Sequence, residues 1–162
     1  MPLEIERRFL VDPEGDWRLA ARKEICRQGY ILTQAPCSMR VRIMGDQAYL
    51  TIKSQREGIA REEFEYPIPL EDANHMLDHY CHEGQICKRR YYVPFDGLTW
   101  EVDVFEGPNQ GLILAEVELD HVKQEFRKPD WVRQEISGDA RYFNALLALN
   151  PYQSWAHEPD HS

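Results

Sequence analysis

The chain has no apolar run approaching the roughly 18 residues that cross a bilayer. Its first residues, MPLEIERRFLV, lack the basic and long apolar regions of a secretion signal. These absences lead us to expect a cytoplasmic protein with no membrane association. Positive charge is in the minority: 19 Lys and Arg stand against 28 Asp and Glu, a net charge of -9. A general nucleic-acid binder usually carries a basic face, so that class is disfavoured. A small anionic ligand is still allowed, because local basic clusters and bound cations set the field in a cleft. Cys26, Cys37, Cys81 and Cys87 form no CxxC pair and have no His at zinc-site spacing. They read as reduced, structural cysteines. The signatures GxSxG, GxxxxGK(S/T), HExxH and GxGxxG are missing. His75, His79 and His82 recur at helical spacing, but no carboxylate completes a metal site, so they read as a solvated face. His121, His157 and His161 read as surface residues.

What the chain does have is charge at every second position. Seven short segments carry it: Glu4-x-Glu6-x-Arg8, Arg40-x-Arg42, Lys53 in YLTIK, Arg61-x-Glu63-x-Glu65, Lys88-x-Arg90, Glu101-x-Asp103 and Glu116-x-Glu118. In a strand, residues two apart share a face. Each segment therefore sends charge to one side and apolar residues to the other. An ordinary solvent face mixes Lys and Glu with Ser, Thr and Gln. Here the pairs are largely sorted by sign, and Arg dominates the cationic ones. Arg offers a planar fork suited to phosphate oxygens. Same-sign carboxylate pairs such as Glu4/Glu6 and Glu116/Glu118 repel unless a cation sits between them, and hard oxygen ligands favour Mg²⁺, Mn²⁺ or Ca²⁺. On one curved sheet, these strands would line a cavity suited to a metal-bound triphosphate.

The length of 162 residues suits one domain. We place it at residues 1–150, with a polar tail at 151–162. Strands are expected at Leu3–Val11, Gln28–Thr33, Cys37–Met44, Gln47–Lys53, Ile59–Ile68, Gln85–Pro94, Leu98–Phe105 and Leu112–Leu119. Gly45-Asp46 and Asp96-Gly97 mark hairpin turns. The periodicity predicts helices from Asp16 through Glu24, over Leu70–Tyr80, around His121–Phe126, and from about Asp139 to Leu149. Many strands with few helices indicate a mainly β fold, an eight-stranded antiparallel barrel. The apolar alternates Ile5, Val41, Ile43, Leu50, Ile52, Val102, Val104, Val117 and Leu119 must then be covered by helices outside it. The charged face would line a hydrated tunnel.

The motifs themselves resemble a known family. EIERRFLV is similar to the ExExK signature of the CYTH domain, or triphosphate tunnel metalloenzymes. The resemblance continues in order through GYIL, RVRI, LTIK, REEFEYPIP, IxKxRY, WEVDVFEGPNQGL, LAEVEL and EISGDARYFN. It implies an eight-stranded tunnel and metal-dependent hydrolysis of a triphosphate compound, most similar to the bacterial inorganic triphosphatases. A class IV-type adenylyl cyclase and a non-catalytic polyphosphate or nucleotide sensor are the alternatives. Carried over by motif, Glu4, Glu6, Glu116 and Glu118 would hold one or two Mg²⁺ or Mn²⁺ ions. Arg40, Arg42, Lys53, Arg61, Lys88 and Arg90 would hold the phosphates. Arg8, Glu63, Glu101 and Asp103 match the remaining inward positions and are expected to act in catalysis. Arg8 stands where the signature has Lys; slower turnover is expected if that Lys orients or deprotonates the attacking water, the alternative being that Arg8 simply binds phosphate in a tunnel adapted to it. The partner implied is a small triphosphate substrate.

Overall fold

The computed structural model describes residues 3–34 and 36–156; His157 and His161 lie outside them. Nine strands and two helices are present among the described residues. The strands are β1 (Leu3–Val11), β2 (Arg22–Leu32), β3 (Cys37–Met44), β4 (Gln47–Ser54), β5 (Ala60–Pro67), β6 (Gln85–Phe95), β7 (Leu98–Phe105), β8 (Ile113–Glu118) and β9 (Val132–Glu135). The helices are α1 (Leu70–His79) and α2 (Asn144–Leu149). The first eight strands run in the order β5-β4-β3-β2-β6-β7-β8-β1, and β1 returns to β5, closing an antiparallel barrel. The closure is short. β1 meets β5 only through Leu3, Glu4 and Ile5, and β9 takes that edge at Phe9 and Val11.

Turn chemistry fixes the registers of two hairpins. Gly45, at φ 61°, opens the two-residue turn between the paired residues Met44 and Gln47. Asp96 and Gly97, at φ 49° and 81°, form the turn between Phe95 and Leu98. Left-handed backbone suits such tight hairpins, and Gly and Asp reach it more readily than bulky residues. Each register determines which alternates face inward.

Three apolar clusters hold the barrel. Ile5, Phe9, Trp100, Val102, Val117 and Trp131 belong to one on its outer face, where Trp17 also packs. Trp100 and Trp131 meet edge-on at 5.8 Å. A second, with Val41, Ala48, Ala73 and Leu77, docks α1 onto β3 and β4. The third contains Tyr30, Ile86, Phe105, Leu114, Leu147 and Trp155, with Leu10 packed against it. By strand parity, Leu10, Ile86, Phe105 and Leu114 share the inward faces of Arg8, Lys88, Asp103 and Glu116. The interior is therefore charged along one stretch and apolar at its end, where Leu147 of α2 and Trp155 join the cluster.

Several expectations are corrected. The covering of the barrel is only partly helical: α1 lies outside, but α2 closes the interior, and the loop residue Phe126 packs on Phe9 and Trp100. The helix from Asp16 through Glu24 is a single 3-10 turn, Asp16–Leu19. Beyond it the chain is extended because β2 pairs with β6 from Arg22 and with β3 from Cys26. Those two ladders outweigh a weak local helical preference. Glu24 instead accepts a hydrogen bond from the Tyr92 hydroxyl at 2.8 Å. His121–Phe126 forms turns and irregular chain. The last helix is split into a 3-10 turn at Ala140–Tyr142 and α2, because Phe143 is extended at φ -70°, ψ 133°. β9 was not anticipated. His75 and His79 lie exposed on α1, and the four cysteines are free.

Candidate active site

All but two of the residues singled out in the sequence line one cavity of about 760 Å³. β1 supplies Glu4, Glu6 and Arg8; β3 supplies Arg40 and Arg42; β4 supplies Lys53. β5 adds Arg61 and Glu63, β6 adds Arg90, β7 adds Glu101, and β8 adds Glu116 and Glu118. The remaining two, Lys88 and Asp103, lie behind the wall. Lys88 Nζ is 2.7 Å from Asp103 Oδ2, and it also donates to Asn144 Oδ1 at 2.9 Å. Asp103 in turn accepts two hydrogen bonds from Arg90, at 2.8 and 3.0 Å. This buried Lys88–Asp103 pair fixes the base of the Arg90 guanidinium, whose outer edge meets Glu101.

Most charges in the cavity already have an opposite. Lys53 lies 3.2 Å from Glu4 and 3.1 Å from Glu63, and Arg61 lies 3.3 Å from Glu4. Arg8 lies 3.1 Å from Glu116, and Arg56 lies 3.1 Å from Glu6. Arg40 is 3.7 Å from Glu65. Arg42 has no ion pair among the described residues; its Nε donates to Gln28 Oε1 at 2.8 Å. Gln28 Nε2 reaches the Tyr30 hydroxyl at 3.0 Å and Asn144 Oδ1 at 3.2 Å. A buried amide thus holds the orientation of a free cation on the cavity wall.

The field is strong on both sides. Burial and Glu4 push the Glu6 carboxyl up, but Lys53, Arg8 and Arg56 outweigh them and hold it below the ordinary range. Burial and Glu6 act likewise on Glu116, where Arg8, Arg90 and Lys88 prevail and lower it. Glu118 has no such relief. Partial burial, together with Glu4, Glu63, Glu101 and Glu6, pushes it up to about 7. Burial lowers Lys88 to about 8 against the pull of Asp103. An all-carboxylate set suffering this mutual repulsion fits a hard divalent cation. Among the described residues no three such groups converge as a preformed cage, because most are turned toward cationic side chains. Cation binding would have to loosen these pairs.

A charged antiparallel tunnel built on this order of motifs has known counterparts. Residues 2–145 match the CYTH domain family. The chain belongs to that family. It is 44% identical over 155 residues to an inorganic triphosphatase of Acetivibrio thermocellus, covering 96% of this chain and 99% of that one. An inorganic triphosphatase of Nitrosomonas europaea is 36% identical over 151 residues, covering 91% and 97%. The crystal structure of the inorganic triphosphatase NE1496 superposes with a TM-score of 0.64 at 32% identity, covering 92% of this chain and 96% of that one.

This CYTH cavity also contains residues the sequence reading passed over. Glu65 lies within the quoted Arg61-x-Glu63-x-Glu65 alternation, so its signal was visible. Tyr30 is on the wall and Gln28 is fully buried beside it; neither is charged, so neither belongs to the alternating charge pattern. Phe143 and Asn144 come from the end of the EISGDARYFN motif, far from any alternating strand. Arg56 belongs to the link between β4 and β5, where no periodic pattern marks a residue as inward.

Proposed function

We propose that this protein is a metal-dependent inorganic triphosphatase that cleaves tripolyphosphate to pyrophosphate and phosphate. The observation carrying this reading is the cavity itself: arginines and lysines for a polyanion face carboxylates for cations across one closed barrel. The family and its triphosphatase relatives support the same chemistry. In this reading Glu4, Glu6, Glu116 and Glu118 hold one or two Mg²⁺ or Mn²⁺ ions. When bound, such an ion neutralises phosphate charge and acidifies water.

The chain's own residues do the rest. Arg42, without a carboxylate partner among the described residues, is the most available cation for an incoming phosphate. Arg40, Lys53, Arg61 and Arg90 add charge-assisted contacts as their carboxylate partners turn away. The Asp103 and Lys88 pair behind the wall keeps Arg90 pointed inward. Glu63 and Glu101 remain close to these cations and tune how tightly each is held. Arg8, on the wall beside Glu116, neutralises charge on the transferring phosphoryl group. Attack by water in line with the departing pyrophosphate requires no Ser or Cys nucleophile, since positioning and electrostatics dominate phosphoryl transfer. The apolar plug at the barrel's end keeps bulk water from entering there.

A product panel tests this proposal. Tripolyphosphate, pyrophosphate, ATP, GTP and thiamine triphosphate are each incubated with Mg²⁺ or Mn²⁺, with and without EDTA. The expected result is orthophosphate from tripolyphosphate that EDTA abolishes. Cyclic AMP from ATP without phosphate would make the protein a cyclase. Tight binding without any product would make it a sensor.

A further inference from the structure

We propose that Arg56 is a substrate-positioning residue that shields Glu6 in the free protein and turns to the triphosphate once a divalent cation takes Glu6. This rests on the triphosphatase reading above. Arg56 follows the end of β4, at the seam where β1 stops pairing with β5. The Glu6 backbone N–H donates to the Ile59 carbonyl at 3.3 Å, so the loop lies directly against β1. A reciprocal pair of bonds between Glu57 and Ala60, at 2.8 and 3.1 Å, closes a tight turn beside it. At the other end of the link, Ser54 Oγ accepts from the Glu62 N–H at 2.9 Å. The backbone is therefore tied down on both sides, and the long side chain reaches into the cavity from a fixed root.

That side chain makes one ion pair among the described residues. Its Nη2 is 3.1 Å from Glu6 Oε1, with the two side chains only 11% and 10% exposed. Its guanidinium carbon stands 4.5 Å from the centroid of the Phe143 ring, which also lies 6.0 Å from that of Arg8. The Arg56 Nε is buried and has no hydrogen-bond partner among the described residues. A guanidinium stacked on an aromatic face can pivot in plane while keeping that contact. The unpartnered N–H is thus a donor in reserve. Burial most, and then Arg61 and Arg8, disfavour a third cation here against the pull of Glu6. A polyanion entering the cavity would relieve that crowding.

Glu6 cannot serve both a guanidinium and a hard cation equally well. A divalent ion offers twice the charge at a shorter contact distance, so the two compete for the same oxygens. When the ion prevails, Arg56 loses its partner and presents its planar fork to phosphate oxygens. The free protein is thereby spared an uncompensated buried carboxylate, and the loop-borne cation becomes available only after the cation site is filled.

The proposal requires opposite effects on two ligands. In Arg56→Ala, Mn²⁺ measured alone by calorimetry or electron paramagnetic resonance should bind about tenfold more tightly, because its competitor for Glu6 is gone. The KM for tripolyphosphate at saturating Mn²⁺ should rise by about tenfold or more, the usual scale for one lost charge-assisted contact. Arg56→Lys should fall between wild type and Ala in both. A merely structural arginine would weaken both ligands together. Unchanged or weaker Mn²⁺ binding overturns the proposal, as does an unchanged KM, provided circular dichroism shows both variants folded. Should wild type release no phosphate from any triphosphate, the function proposed above fails; Arg56 is then judged by Mn²⁺ binding together with calorimetric tripolyphosphate binding, expected to weaken about tenfold in Arg56→Ala.

Discussion

At Arg8 the cavity wall carries a guanidinium where the family signature carries a lysine. Its Nη2 comes within 3.1 Å of Glu116, yet Nε and Nη2 are both buried without a hydrogen-bond partner among the described residues. The charge is thus in place while its donors are poorly directed. A lysine ammonium is compact, and its protonation can shift in a cavity, whereas arginine stays charged and planar. Arg8→Lys is therefore expected to raise kcat at saturating tripolyphosphate and metal. A fall in kcat with folding unchanged would show a cavity built around arginine. The two halves of the site should also separate. Glu116→Gln should weaken Mn²⁺ binding, and Arg40→Ala should weaken tripolyphosphate binding. Each loss is roughly tenfold to a hundredfold, from about 1.5–3 kcal/mol per charge-assisted contact. Titrations of either variant that match wild type would remove that residue from the site.

Among the elements, α2 does more than its six residues suggest. Leu147 is fully buried against Leu114, Phe105 and Ile86 on the barrel's inner face, and Asn144 at the start of the helix receives both Lys88 and Gln28. Leu147→Ala should cost about 2–5 kcal/mol in urea unfolding, the range for a large core deletion. A change under about 0.5 kcal/mol would mean that α2 does not close the barrel. This element also marks the limit of what the sequence revealed. The alternating strands were legible because period-2 charge has one reading in a closed sheet, and β3, β4 and β7 lie close to where the pattern put them. The inward apolar positions were harder to see, because Leu10, Ile86, Phe105 and Leu114 occupy the same face as the charged set. Nothing local says that one face changes character along its length. Trp17 and Glu24 misled in another way: their spacing suits a helix, but β6 claims the chain from Arg22 onward and β3 joins it from Cys26. Arg56 lay outside any repeating pattern, and only the barrel's seam brings it to Glu6.

For the molecule as a whole, the cost of gathering like charges should appear in its pH dependence. Glu118, pushed up to about 7 from 4.5, binds a proton more readily folded than unfolded. Its contribution to stability is therefore complete below about pH 4.5 and lost as pH rises through about 7. Metal-free protein should melt at a lower temperature at pH 7.5 than at pH 5, with Glu118→Gln reducing that difference and Mn²⁺ raising the midpoint at pH 7.5. A midpoint that climbs over this interval, or an equal slope in the variant, would count against the repulsion. The same opposition of charges is what would let the barrel interior hydrolyse a metal-associated triphosphate. The most direct test is the initial rate of orthophosphate release from inorganic tripolyphosphate by purified protein with Mn²⁺, before and after EDTA. Release should be steady, stop with chelation and resume when Mn²⁺ is restored; release that is indifferent to the metal, or no release at any metal concentration, would contradict a metal-dependent triphosphatase.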